Sequence, residues 1–209
     1  MNGSALKLGL ALAAVTLATA ACGGSDSSKA DTGPYAATAS PAAGTSMTKA
    51  PADFHEIHGE GFTIWAPAGF QEERKKSSNG EPMLTLQAPS SEKAIPQQVG
   101  VIRDVNPDAA ADEQSFTLES VQSIGGEKAV RTEVPAPTGQ RAFLVTWTQS
   151  RPSAAGSTAT VDTTYWQLMW QVDKDLILNV VAVAPSADWA TSDVSRILRS
   201  FTVDEGSHA

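Results

Sequence analysis

The chain has 209 residues, with 15 basic and 23 acidic side chains, a formal charge of −8 at pH 7 and a single cysteine. A surplus of negative charge repels phosphate backbones and anionic headgroups, and the one basic run is the short RKK at 74–76, so composition argues against nucleic acid as a partner. One cysteine excludes an intramolecular disulfide, and the length allows one well-buried core beside flexible segments.

Residues 1–21 open with polar MNGSALK, pass through an apolar run at 8–18 and end in small residues. The run is shorter than the about 20 residues a spanning helix needs, and the whole has the anatomy of a secretory signal. Thr19, Ala20, Ala21 and Cys22, followed by Gly23 and Gly24, resemble a bacterial lipobox, with Thr19 standing where that signal usually carries Leu. The resemblance implies a diacylglycerol on the Cys22 thiol and cleavage between Ala21 and Cys22. The other reading is an unmodified cysteine in or beside a discarded signal. Two acyl chains meet the requirement for stable attachment that one does not, so Cys22 is expected to anchor the chain on the extracytoplasmic face of the cell membrane. Removing residues 1–21 takes away one base, Lys7, and no acid, which leaves 14 basic and 23 acidic residues and a net charge of −9.

Residues 22–53 hold the cysteine and a Ser/Thr/Ala/Pro-rich stretch with almost no large apolar side chain, too little to offset the entropy of ordering it. This is expected to be a tether with a root-mean-square reach of roughly 30 Å. Its composition is that of a plain spacer or of an O-glycosylated stalk.

One domain is expected over 54–203, with a frayed tail at 204–209. FTIWAP at 62–67 reads as a strand closed by the turn Pro67, Ala68, Gly69. MLTLQAP at 83–89 reads as a second strand, paired to the first across SSNGEP, and 99–103 as a third. Asp108 or Asp112 can cap a helix running to Ile124, with Phe116, Val121 and Ile124 near one face and Gly125, Gly126 ending it. Strands follow at 127–134, 141–150, 161–172 and 176–184, the last two joined through Asp173, Lys174 and Asp175. Alternation puts Phe143, Val145 and Trp147 on one face, and Trp166, Leu168 and Trp170 on one face of the next strand. The strand at 176–183 is apolar on both sides apart from Asn179, which marks it as central and covered. A final helix is expected from Ser186 or Asp188 to Ser200, burying Trp189, Val194, Ile197 and Leu198. The order predicts an α+β fold, an antiparallel sheet flanked by helices.

The lipobox, the Thr/Ala/Pro tether, the opening FTIWAPAGF, the long meander and the closing RILRSFTV together resemble the actinobacterial LpqN/LpqT-type lipoproteins. Their domain is similar to the PsbP-like α/β/α sandwich of an extrinsic photosystem subunit. The resemblance spans 54–203 and implies a non-enzymatic, surface-attached module that binds another envelope protein. It carries over no functional residue except Cys22.

Chemistry-bearing patterns are sparse. HEIHGE at 55–60 gathers two histidines and two acids, but a strand sends His55 and His58 to opposite faces, which favours a solvated edge over a metal site. GxSxG, HExxH, GxxxxGK and any cysteine pair are missing from the sequence. Glu72, Glu73, Asp104, Asp108, Glu119 and Asp162 offer no preferred pair for glycosidic hydrolysis. No catalytic, cofactor-binding or metal-ligating residue is assigned, and no cofactor is expected. The competing function is a carrier or sensor of a small apolar or carbohydrate ligand, held between sheet and helix in a pocket lined by Trp166, Met169 and Trp170. The long connection at 151–162 is either padding or a binding surface with Arg151 as anchor, supported by Thr164 and Tyr165.

Overall fold

The computed structural model describes residues 51–89, 95–124, 128–154 and 157–204. Within these described residues, ten strands and two helices follow in the order β1 (Phe54–His58), β2 (Phe62–Pro67), β3 (Gln71–Lys76), β4 (Pro82–Gln87), β5 (Gln98–Val105), α1 (Ala111–Ser123), β6 (Val130–Val134), β7 (Arg141–Pro152), β8 (Thr160–Asp173), β9 (Leu176–Pro185), α2 (Val194–Arg199) and β10 (Thr202–Val203). Seven strands form an antiparallel sheet in the order β3-β4-β5-β9-β8-β7-β6, and a second sheet runs β1-β2-β10. The α+β class and the helix-flanked antiparallel sheet expected from the sequence are both present.

Side-chain alternation sorts the long strands into two cores. On one face of the large sheet, Leu84, Val101, Leu144, Trp166, Leu168, Trp170 and Val180 pack beneath Ile57, Phe62 and Ile64 of the small sheet and Val194, Ile197 and Leu198 of α2. On the other face, Phe143, Val145, Trp147, Tyr165, Met169 and Ile177 pack with Ala111 and Leu118 of α1. β9 lies at the centre, covered on both faces, which explains why its sequence is apolar on both sides apart from Asn179.

Several sequence expectations need correction. The strand at 62–67 does not pair with β4: β2 joins β1 and β10, while the turn across SSNGEP, with Gly80 at φ 87°, joins β4 to β3. QEERKK of β3 has no apolar residue and is exposed throughout, so periodicity gave no sign of it; it is the charged edge that blunts the large sheet against further pairing. The closing helix is short, because residues 186–193 form successive turns, including Asp188 N–H to Pro185 O and Ser192 N–H to Asp188 O. Its four expected apolar residues are nonetheless all buried.

A further correction concerns α1. Ala110, and neither Asp108 nor Asp112, is the N-cap residue, and it offers no side-chain cap. The Gln171 side chain of β8 accepts the Ala111 N–H at 2.6 Å instead. Phe116, Val121 and Ile124 point away from the sheet, and the buried face is Ala111, Ser115 and Leu118. Gly125 and Gly126 lie outside the described residues, as do the signal, Cys22 and the tether up to residue 50. Asp204, assigned above to the frayed tail, is fastened by its N–H to Gly61 O and by its carboxylate to the Thr63 hydroxyl at 2.8 Å.

Candidate functional site

The pocket expected from Trp166, Met169 and Trp170 does not assemble. Trp166 and Trp170 share a face and are buried under the small sheet, at 5.2 Å from the Trp189 ring and 6.1 Å from the Phe201 ring respectively. Trp170 Nε1–H donates to Gln140 Oε1 at 2.6 Å, so its polar edge is also satisfied. Met169, one residue out of phase, packs on the opposite face with Phe143 and Ile177. All three are filled core positions.

Arg151 and Tyr165 do come together. An Arg151 Nη1–H donates to the Tyr165 hydroxyl at 2.9 Å, and the Tyr165 ring stacks on Trp147 at 4.9 Å with a 4° interplanar angle. Thr164 lies on the other face, its hydroxyl 2.8 Å from that of Ser186. Pairing extends to Pro152 opposite Thr160, so the connection is shorter than the sequence suggests and Arg151 belongs to the sheet.

His55 and His58 are exposed on the β1 edge, and His58 Nδ1 lies 3.2 Å from the Thr63 hydroxyl. Among the described residues no group of three His, Cys, Asp or Glu side chains converges as a metal site. The acids singled out above take part in structural bonds: Glu72 with Arg74, Glu73 with Lys75, Asp104 with Gln114, Glu119 with the Arg131 N–H and Asp162 with Ser150.

A polar brace sets the orientation of α1. Asp112 in its first turn accepts from Arg131 and, at 3.0 Å, from Arg141, whose Nε–H also donates to Glu133 at 3.1 Å. Both guanidinium groups lie against the Phe143 ring, at 4.2 and 4.7 Å from its centroid. Hydrogen bonds to Glu133 and then Asp112 hold the Arg141 guanidinium above its ordinary pKa. Arg131 Nε–H reaches the buried Ser115 hydroxyl at 2.8 Å.

With its inner face fixed by these bonds and by Leu118, α1 turns its large apolar residues outward. Phe116 is 61% exposed, Val121 43% and Ile124 79%. Phe116, Ser120 and Ile124 follow one another at four-residue spacing along the outer surface, with Val121 flanking Ile124. Periodicity found this set but could not say which side of the helix meets the sheet. The signal that could have done so is polar: the Asp112 and Ser115 positions need partners, and the arginines of β6 and β7 supply them.

No family model matches the chain, and no curated protein matches it. Among solved structures it is similar to the Ran-binding protein Mog1p of Saccharomyces cerevisiae, with a TM-score of 0.44 and 14% identity over 75% of this chain and 98% of that one. A variant of the protein Mog1 gives a TM-score of 0.43 and 15% identity over 74% of this chain and 97% of that one.

Proposed function

We propose that this is a lipid-anchored, non-enzymatic module that binds another protein of the cell envelope, and that α1 carries the binding surface. The observation behind the reading is the outward row of Phe116, Val121 and Ile124 on a helix whose inner face is already satisfied. Exposed apolar side chains gathered on one element mark interaction surfaces, whereas singly scattered ones do not. The lipobox at Cys22 and the tether that follows it supply the anchor and the reach, and the acidic surface keeps the domain off anionic headgroups. The finer fold assignment, a PsbP-like sandwich of the LpqN/LpqT type, belongs to the same proposal; its support is the lipobox, the tether and the order of strands and helices.

The test uses the full chain in its native envelope with a photo-crosslinking residue at Ser120, between Phe116 and Ile124. One adduct of defined mass is expected, lost when Phe116→Asp and Ile124→Asp are introduced together while thermal unfolding stays unchanged. Cys22→Ser should remove the lipid mass from the N-terminus and either release the protein to the soluble fraction or strand it with its signal uncleaved. An adduct indifferent to the double substitution overturns the binding surface, and an unlipidated wild-type N-terminus overturns the anchor.

A further inference from the structure

A cleft with a volume of about 130 Å³ opens where the β1–β2 turn, at Gly59 and Glu60, overhangs β3, β4 and β5. Its floor is apolar, formed by the buried side chains of Phe62, Leu84 and Val101. Its wall is cationic, with Arg74 and Arg103 both lining it. An apolar cavity of about 150 Å³ accepts benzene, so a cleft of this size suits a small organic molecule of roughly six to eight heavy atoms.

The two arginines differ in how well they are bonded. Arg74 donates from Nε to Glu72 at 2.7 Å and from Nη2 to the His58 carbonyl at 2.8 Å. Arg103 donates from Nη1 to Glu60, while its Nε is buried and has no hydrogen-bond partner among the described residues. A buried guanidinium N–H without an acceptor costs the full desolvation of that donor, so the resting arrangement leaves Arg103 under-bonded. Glu60 is tethered to a tight turn and its side chain is 73% exposed, against 23% for Arg103. A carboxylate held only from the turn reaches one edge of the fork. An untethered one is free to seat across the fork, in the bidentate geometry that guanidinium prefers.

We infer that this cleft is a binding site for a small organic carboxylate with a short apolar body, and that Glu60 is its built-in competitor. The class follows from the parts. A carboxylate already occupies the guanidinium, so the wall accepts that group, and Phe62, Leu84 and Val101 favour a hydrocarbon body over a bare inorganic anion. Replacing the Glu60 carboxylate by that of the ligand keeps the charge on Arg103 balanced and releases Glu60 to water at little cost. This site is separate from the α1 surface and goes beyond the protein-binding reading.

The test titrates the full chain with hexanoate, hexanol and inorganic phosphate, following backbone amide shifts. Saturable hexanoate shifts are expected at Gly59, Glu60 and Arg103. Glu60→Gln, a change on an exposed turn, should tighten hexanoate binding roughly twofold to fivefold, the range set by removing a half-exposed ion pair. Arg103→Gln should weaken it roughly tenfold or more, as expected for losing hydrogen bonds to a charged group. Hexanol binding as tightly as hexanoate, phosphate binding as tightly as hexanoate, or Glu60→Gln leaving affinity unchanged would each overturn the assignment. Because Glu60→Gln gains affinity, the inference stays testable even if Arg103→Gln unfolds.

Discussion

A Cβ placed on Gly59 would lie 2.0 Å from Cζ of the Phe62 ring, so that ring occupies the space a side chain at position 59 would need. The ring cannot retreat easily: it is buried, and it packs on Phe201 at a centroid distance of 5.7 Å. Backbone geometry is not the constraint, since Gly59 is not among the glycines at positive φ. Gly59→Ala is therefore expected to destabilise the domain by about 2 kcal/mol or more through overpacking alone. Urea unfolding of the two chains measures it, and a shift below about 0.5 kcal/mol would mean that the turn yields. The same glycine lets Glu60 overhang the cleft, so the packing of Phe62 also positions the proposed competitor.

Asp112 is the common acceptor of two arginines that come from different strands. Asp112→Ala leaves Arg131 its bond to Ser115 and Arg141 its bond to Glu133, so the sheet edge should survive. What loosens is the first turn of α1. Amide hydrogen exchange there is expected to rise roughly twofold to fivefold, the scale of a partly exposed ion pair, with exchange in β8 and β9 unchanged. Equal acceleration in helix and sheet would show that the brace holds the whole domain.

The two faces of α1 make opposite predictions. Leu118 is 2% exposed in the core beneath the helix, and Leu118→Ala should cost about 2–3 kcal/mol. Phe116→Ser removes a larger side chain from the opposite side and should change stability by no more than about 0.5 kcal/mol. Calorimetry of both variants decides the orientation of the helix. A Phe116→Ser cost comparable to that of Leu118→Ala would mean that this ring is buried in solution, and the proposed binding row would lose its main member.

This pair also shows what the sequence could convey. Alternation along β7 and β8 was strong enough to place Phe143, Val145 and Trp147 on one face and Trp166, Leu168 and Trp170 on one face, because a two-residue period has only two outcomes and both cores are dense. In α1 the apolar residues are few and the inner face contains Ala111 and Ser115, small side chains that permit close approach but carry little hydropathy. The larger residues then dominate the pattern and point the wrong way. β3 was illegible for a related reason: a charged edge strand is specified by its partner β4 and not by its own composition. The cleft was hidden more deeply still, since Glu60 and Arg103 are separated by three intervening strands in the chain and meet only where the two sheets overlap. Arg151 with Tyr165 was accessible because the two lie on adjacent strands of one hairpin.

Ser200 ends α2 and stands in for a strand residue that the chain cannot provide. β10 pairs with β2 through Thr202 opposite Thr63 and Val203 opposite Phe62, and continuing that register two residues further would bring residue 200 opposite Trp65. By then the backbone has turned into the helix, so its own N–H goes to Arg196 O and Ile197 O. The side chain takes over the ladder: Ser200 Oγ accepts the Trp65 N–H at 2.9 Å and lies 3.2 Å from Trp65 O and 2.7 Å from Ile197 O. With Ser200 only 1% exposed, no water is at hand to replace it. Ser200→Ala strands the Trp65 N–H and should cost about 1–3 kcal/mol, well above the change expected from the volume of one oxygen atom. Ser200→Thr keeps the hydroxyl and should recover part of the loss, limited by the space for its methyl group. Urea unfolding of the three chains, read by tryptophan fluorescence, distinguishes a lost hydrogen bond from lost packing. If alanine and threonine cost the same, the hydroxyl is not what joins α2 to the small sheet.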